Sequence, residues 1–234
     1  MITETISNKT TARIAGLIYL GVVLTGIFSL MYVPSKLIVR DNPSLTYQNI
    51  TSSEPLFRFW IVIGLLCYTF FLFLPLVLYK LLKSVNKSYA IVMVLLAVMS
   101  VPIFFLNVQN QFNILSLLSN KSNYLGYATE QLQTQVMLYI NQYDNGMRIV
   151  HIFSGLWLFP FGYLVFKSGF LPKFLGVLLM LGCFGYLINF VGQTIIPNYA
   201  KIGISPYISL PASFGEIGIC LWLLIIGTKN KMTT

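Results

Sequence analysis

LFRFWIVIGLLCYTFFLFLPLVLY, residues 56–79, holds a single charge, Arg58, close to its start. At about 1.5 Å of rise per residue, a helix of this length crosses roughly 30 Å of hydrocarbon. Five further apolar runs of comparable length lie at about 13–33, 89–116, 147–166, 174–195 and 207–228. Lipid offers no partner to an open backbone N–H or C=O, so each crossing must be a helix; the short alternating strands of a closed barrel are absent. The sequence therefore predicts an all-α, polytopic membrane protein with six transmembrane helices forming a single domain over residues 1–234.

Composition agrees with this reading. Of 234 residues, 56% are hydrophobic and 9% charged. The net charge of +9 would suit a nucleic-acid partner if it were concentrated, but the 15 lysines and arginines stand in ones to threes at the ends of the runs. Nine of them, Lys9, Arg13, Lys80, Lys83, Lys87, Lys167, Lys173, Lys229 and Lys231, fall on one side. The other six, Lys36, Arg40, Arg58, Lys121, Arg148 and Lys201, fall on the opposite side among Asp41, Glu54, Glu130 and Asp144. The richer side is expected to be cytoplasmic, which places both termini inside. The first run is long for a signal peptide, and no small-x-small site follows it before Pro34, so it is expected to remain as a helix. Cys67, Cys183 and Cys220 lie inside spans and are too scattered for a metal pair or a disulfide framework.

Between the spans, Ser53, Glu54 and Pro55 signal a helix start. The stretches Pro34–Ser53 and about 117–146 are too long for tight turns and are expected to hold short surface helices. In the second of them, Leu132, Val136, Ile140 and Tyr143 recur at near-helical spacing until Gly146, which is expected to break the run. An amphipathic segment over the outer face and an ordinary helical loop packed on the spans both fit. Pro75, Pro102 and Pro160 fall inside spans and are expected to bend them.

Ionisable groups within hydrocarbon cost at least roughly 2.5 kcal/mol each, so they are candidates for function. Glu216 is the clearest, on a face shared with Ser209, Ser213 and Cys220. Arg58 and Arg148 are its expected counter-ions, and Asp144, Arg148 and His151 can share one helical face. In VPIFFLNVQNQFN, residues 101–113, Asn107 and Asn110 are expected to face the interior, with the helix passing into water from about Gln109. Tyr186, Asn189 and Gln193 follow one another at helical spacing on the fifth span. The convergence suggests a polar vestibule open to the extracytoplasmic side, lined by Arg58, Asn107, Asn110, Arg148, His151, Asn189, Gln193 and Glu216. The alternative is a hydrogen-bond network that only holds helices together.

ARIAGLIYL (12–20), VPSKL (33–37), GLWLFPFGYL (155–164) and KSGFLP (167–172) together resemble the bacterial membrane family known as domain of unknown function 4386, a likeness covering nearly the whole chain. It implies a six-helix bacterial membrane protein and no activity. In the last of these stretches, Gly169 can cap one helix and Pro172 open the next, giving a tight hairpin.

One histidine and no H-E-x-x-H give no basis for a metal site; no cofactor is implied, and phosphate loops and dinucleotide fingerprints are absent. His151 and Ser154 stand one turn apart without the glycines of a serine nucleophile motif. The expected partners are the lipid bilayer and a small polar or anionic ligand, with no nucleic acid. Three function classes follow: a protein that binds or passes such a ligand, a structural or accessory membrane subunit, and a lipid-active enzyme dependent on His151. The residues leave enzyme status, ligand identity and oligomeric state open.

Overall fold

The computed structural model describes residues 2–119 and 128–228, with side chains from residue 8 onward; Lys121, Lys229 and Lys231 lie outside the described residues. Among them the regular structure is helical: α1 (Ile2–Gly26), a π-helical segment (Ile27–Tyr32), α2 (Val33–Leu37), α3 (Pro43–Ser52), α4 (Glu54–Leu82), α5 (Lys87–Asn107), α6 (Gln109–Ser119), α7 (Thr129–Leu156), α8 (Leu158–Ser168), α9 (Lys173–Ile195), α10 (Tyr199–Ile202) and α11 (Ser205–Ile225). Six helical stretches are long and apolar enough to cross a membrane: Asn8–Leu37, Glu54–Leu82, Lys87–Ser119, Thr129–Ser168, Lys173–Ile195 and Ser205–Ile225. Many large apolar side chains face outward along them, Leu106 at 78% exposure and Phe214 at 64% among them. In water such a surface would drive association, whereas against lipid it is at equilibrium.

Two compact units are distinguished. The first takes residues 1–22, 70–101 and 150–234; the second takes 23–69 and 102–149. In the first, α9 packs against α8 and α11. Trp157, 1% exposed, anchors its core, with ring centroids 5.1 Å from Phe161, 5.2 Å from Phe71 and 6.4 Å from Tyr19. The α8–α9 hairpin forms as its residues predict. Gly169 ends α8 in the left-handed region at φ 74°, Pro172 is extended at the start of α9, and Ser168 Oγ accepts from Leu171 N at 3.1 Å.

In the second unit, Trp60 sits edge-on between Phe57 at 5.6 Å and Tyr143 at 5.3 Å. The surface helix expected after Pro34 is α3, capped by Asn42, whose side chain accepts from Leu45 N at 2.9 Å. Just before it, Pro34 has no N–H to give, and the Val33 N–H reaches back five residues to Phe28 O, producing the π-helical segment.

One expectation is corrected. Gly146 does not break a helix: α7 runs unbroken from Thr129 to Leu156, and the fourth apolar crossing extends over Thr129–Ser168. The glycine is present because the Asn107 side chain packs against it so closely that a Cβ would collide. The interruption comes instead at Trp157, between α7 and α8. Pro160 cannot donate to Leu156 O, and its ring crowds that carbonyl. Beyond Gln109, Gln111 is 1% exposed and Ile114, Leu115, Leu117 and Leu118 are buried against the protein. The helices run on through Pro75 and Pro102.

Candidate functional site

Glu216 is the twelfth of the 21 residues of α11, near the middle of a crossing. Its carboxyl is held by two phenols. Tyr19 OH donates to Oε2 at 3.2 Å, and Tyr186 is the second side-chain hydrogen-bond partner. Hydrogen bonds to a charged group are worth about 1.5–3 kcal/mol each, so two of them offset an insertion cost of roughly 2.5–3.5 kcal/mol for an ionised carboxyl. The tyrosines come from α1 and α9, so three helices converge on one carboxyl within the first unit.

Close backbone approach makes this convergence possible. A Cβ on Gly16 would fall 2.4 Å from Leu224 N, so glycine there lets α1 come against α11 and brings Tyr19, one turn on, to Glu216. A Cβ on Gly155 would fall 2.4 Å from the Tyr186 Cβ, so glycine on α7 makes room for that ring. The His151 ring, one turn before Gly155, lies 5.9 Å from the Tyr186 ring.

Accessibility sets this cluster apart. On α11 the residues Ala212, Gly215, Ile219, Cys220 and Leu223 are buried, and at about 100° per residue Glu216 projects within the arc they define. It nevertheless keeps part of its surface accessible. Tyr186 is half-buried in the same way amid Gly182, Cys183 and Asn189 on α9, as are His151 and Ser154 in line with Val150 and Trp157. Every described lysine and arginine of this unit is exposed. The half-buried interior positions thus carry a carboxyl, phenol, imidazole and hydroxyl with no lysine or arginine among them.

The remaining sequence candidates are placed as follows. Asn189 Nδ2 donates to Ser209 Oγ at 2.9 Å and to Ser205 O at 3.2 Å, and its Oδ1 accepts from Tyr199 OH at 3.0 Å. Gln193, one turn on, is half-buried. In the second unit, Asn107 Nδ2 donates to Tyr143 O at 2.9 Å, and Asn110 Nδ2 donates to Asn107 Oδ1 at 3.1 Å. These three asparagines are engaged in joining backbone and side chains of the protein itself. Arg58 binds Glu54 one turn back at 2.7 Å, with both side chains largely exposed. The expected face of Asp144, Arg148 and His151 is divided: Asp144 pairs with Arg40 at 2.8 Å, Arg148 is exposed, and His151 sits by Tyr186. Ser213, expected to point inward with Glu216, is exposed.

Sequence reading missed Tyr19 as a site residue and treated Tyr186 only as part of a polar helix face. A usable signal existed, since Gly16, one turn before Tyr19, is a small residue that permits tight packing, and Cys220 lies against its carbonyl. It also passed over Trp60 Nε1 and Gln111 Nε2, buried donors of the second unit that meet no acceptor among the described residues. No group of three or more histidine, cysteine, aspartate or glutamate side chains suited to a metal is found among the described residues.

Comparison with known proteins adds a family. The model of the family described as domain of unknown function DUF4386 matches residues 14–227. A protein of Archaeoglobus fulgidus described as uncharacterized is 38% identical over 79 residues, which is 34% of this chain and 44% of that protein, so the match spans less than half of the relative's length. No solved structure matches.

Proposed function

This chain belongs to the family described as domain of unknown function DUF4386, and for this multi-pass membrane protein we propose the binding or passage of a small polar ligand at Glu216. One observation carries the reading: Glu216, Tyr186, His151 and Ser154 project within buried helix faces yet all retain accessible surface. Polar groups set in a protein interior and still reachable are what a ligand site requires. In this reading the carboxyl receives the ligand, the phenols of Tyr19 and Tyr186 orient that carboxyl, and His151 offers a ring nitrogen beside them. The distribution of basic residues favours entry from the extracytoplasmic side. The attraction of an anion by Arg58 is weakened, because Glu54 already neutralises it.

The test is aqueous access. In a background with Cys67, Cys183 and Cys220 replaced by alanine, Ser154→Cys should react with a membrane-impermeant methanethiosulfonate added outside intact cells. A cysteine at 154 that reacts only after the membrane is dissolved removes the proposal. A second reading, a structural or accessory subunit, draws on the asparagines. Asn107, Asn110 and Asn189 spend their hydrogen bonds on the protein itself. Glu216→Gln separates the readings: loss of ligand binding in a normally folded protein supports the first, and loss of assembly alone supports the second.

A further inference from the structure

We infer that the ligand of the Glu216 site is a small organic ammonium ion, an inference that rests on the binding role proposed above. The first argument is charge. Within its unit, Glu216 is the acid of the half-buried interior, and every described lysine and arginine of the unit is exposed, so this unit supplies no lysine or arginine to the carboxyl. When that carboxyl is ionised, a positive partner stabilises it in a medium of low dielectric, and here that partner would arrive with the ligand.

The second argument is what surrounds the carboxylate. Tyr19 and Tyr186 hydrogen-bond to it directly, and the half-buried His151 ring lies 5.9 Å from Tyr186. Aromatic rings attract organic cations through their quadrupoles, most strongly where water is excluded. A carboxylate accepts about four hydrogen bonds, so two phenols leave room for ammonium N–H donors on the same oxygens.

The third argument concerns the alternative cations. Ca²⁺ and Mg²⁺ take six or more oxygen ligands. One carboxyl whose neighbours are phenols already donating to it falls well short of that number. An alkylammonium needs only the carboxylate and an apolar, aromatic wall for its carbon chain.

The experiment uses the full chain in lipid nanodiscs, titrated calorimetrically with n-butylammonium, butyrate and n-butanol, with empty nanodiscs subtracted. The expected result is saturable binding of n-butylammonium and weaker or no binding of the other two. Glu216→Gln should weaken ammonium binding about tenfold or more, the loss of one charged hydrogen-bond acceptor. Gly169→Ala, outside the site, should retain binding. If the glutamine variant fails to elute as a single species, the wild type still decides: n-butylammonium should bind saturably where n-butanol, of the same chain length and uncharged, does not. Butyrate or butanol binding as tightly as the ammonium overturns the inference and leaves a polar-ligand site standing. Absence of n-butylammonium binding while Ser154→Cys reacts from water also overturns the inference alone. An unreactive cysteine overturns both.

Discussion

Glu216 and Arg58 illustrate how burial and partners decide what a charged residue does. Arg58 and Glu54 form a short pair at 2.7 Å, but with side-chain exposures of 52% and 38% the pair is screened by solvent. Arg58→Ala should therefore change stability by no more than about 0.5 kcal/mol in a reversible unfolding measurement. Tyr186→Phe removes a donor from an interior carboxyl and should cost about 1 kcal/mol in the same assay, with Tyr19→Phe similar. A double-mutant cycle combining either tyrosine change with Glu216→Gln should show coupling, because the carboxyl is shared. Additive effects would mean that the phenols do not act on it. The phenol partners of Glu216 were not read from the sequence. A tyrosine inside an apolar run reads as one more aromatic residue, and only packing reveals that its hydroxyl has a partner 197 positions away in the chain.

At the level of the helices, glycines govern who meets whom. Gly16 faces the Leu224 backbone and Gly155 faces Tyr186, and neither neighbour can yield without displacing a site residue. Gly16→Ala and Gly155→Ala should each lower stability by roughly 1–3 kcal/mol and weaken ligand binding together with it. Gly169→Ala makes a useful contrast. A Cβ there meets open space but must adopt φ 74°, so it should cost about 1–2 kcal/mol and leave binding unchanged. The hairpin around Gly169 was readable because Ser-Gly-x-x-Pro encodes a helix end and a helix start locally. The extent of α7 was not. Gln131, Gln133, Gln135 and Asn141 make 129–146 read as a surface helix separate from the crossing, and Gly146 looks like a stop until the Asn107 side chain is seen against it. A glycine demanded by close approach and a glycine that ends a helix are the same letter.

For the molecule as a whole, the six crossings were legible because hydrocarbon imposes a length and a backbone requirement that composition alone reveals. Which of the eight residues expected to line a vestibule turn toward a ligand was less legible, since a common depth along separate helices does not fix which way each side chain turns. Four of them, Arg58, Asn107, Asn110 and Arg148, belong to the second unit, and His151, Asn189, Gln193 and Glu216 belong to the first. The expected orientation can be checked separately: fluorescent protein fused after Thr234 should fluoresce and alkaline phosphatase at the same point should be inactive, whereas the reverse pattern would invert the topology. The account depends most on Glu216 being reachable by water while tyrosine hydroxyls hold it inside the membrane. Peptide mass spectrometry after treating the protein in intact lipid vesicles with a water-soluble carbodiimide and an amine nucleophile measures this directly. The account predicts modification of Glu216 that increases in Tyr186→Phe; a Glu216 modified only by a lipid-soluble carbodiimide, or by neither reagent, would contradict it.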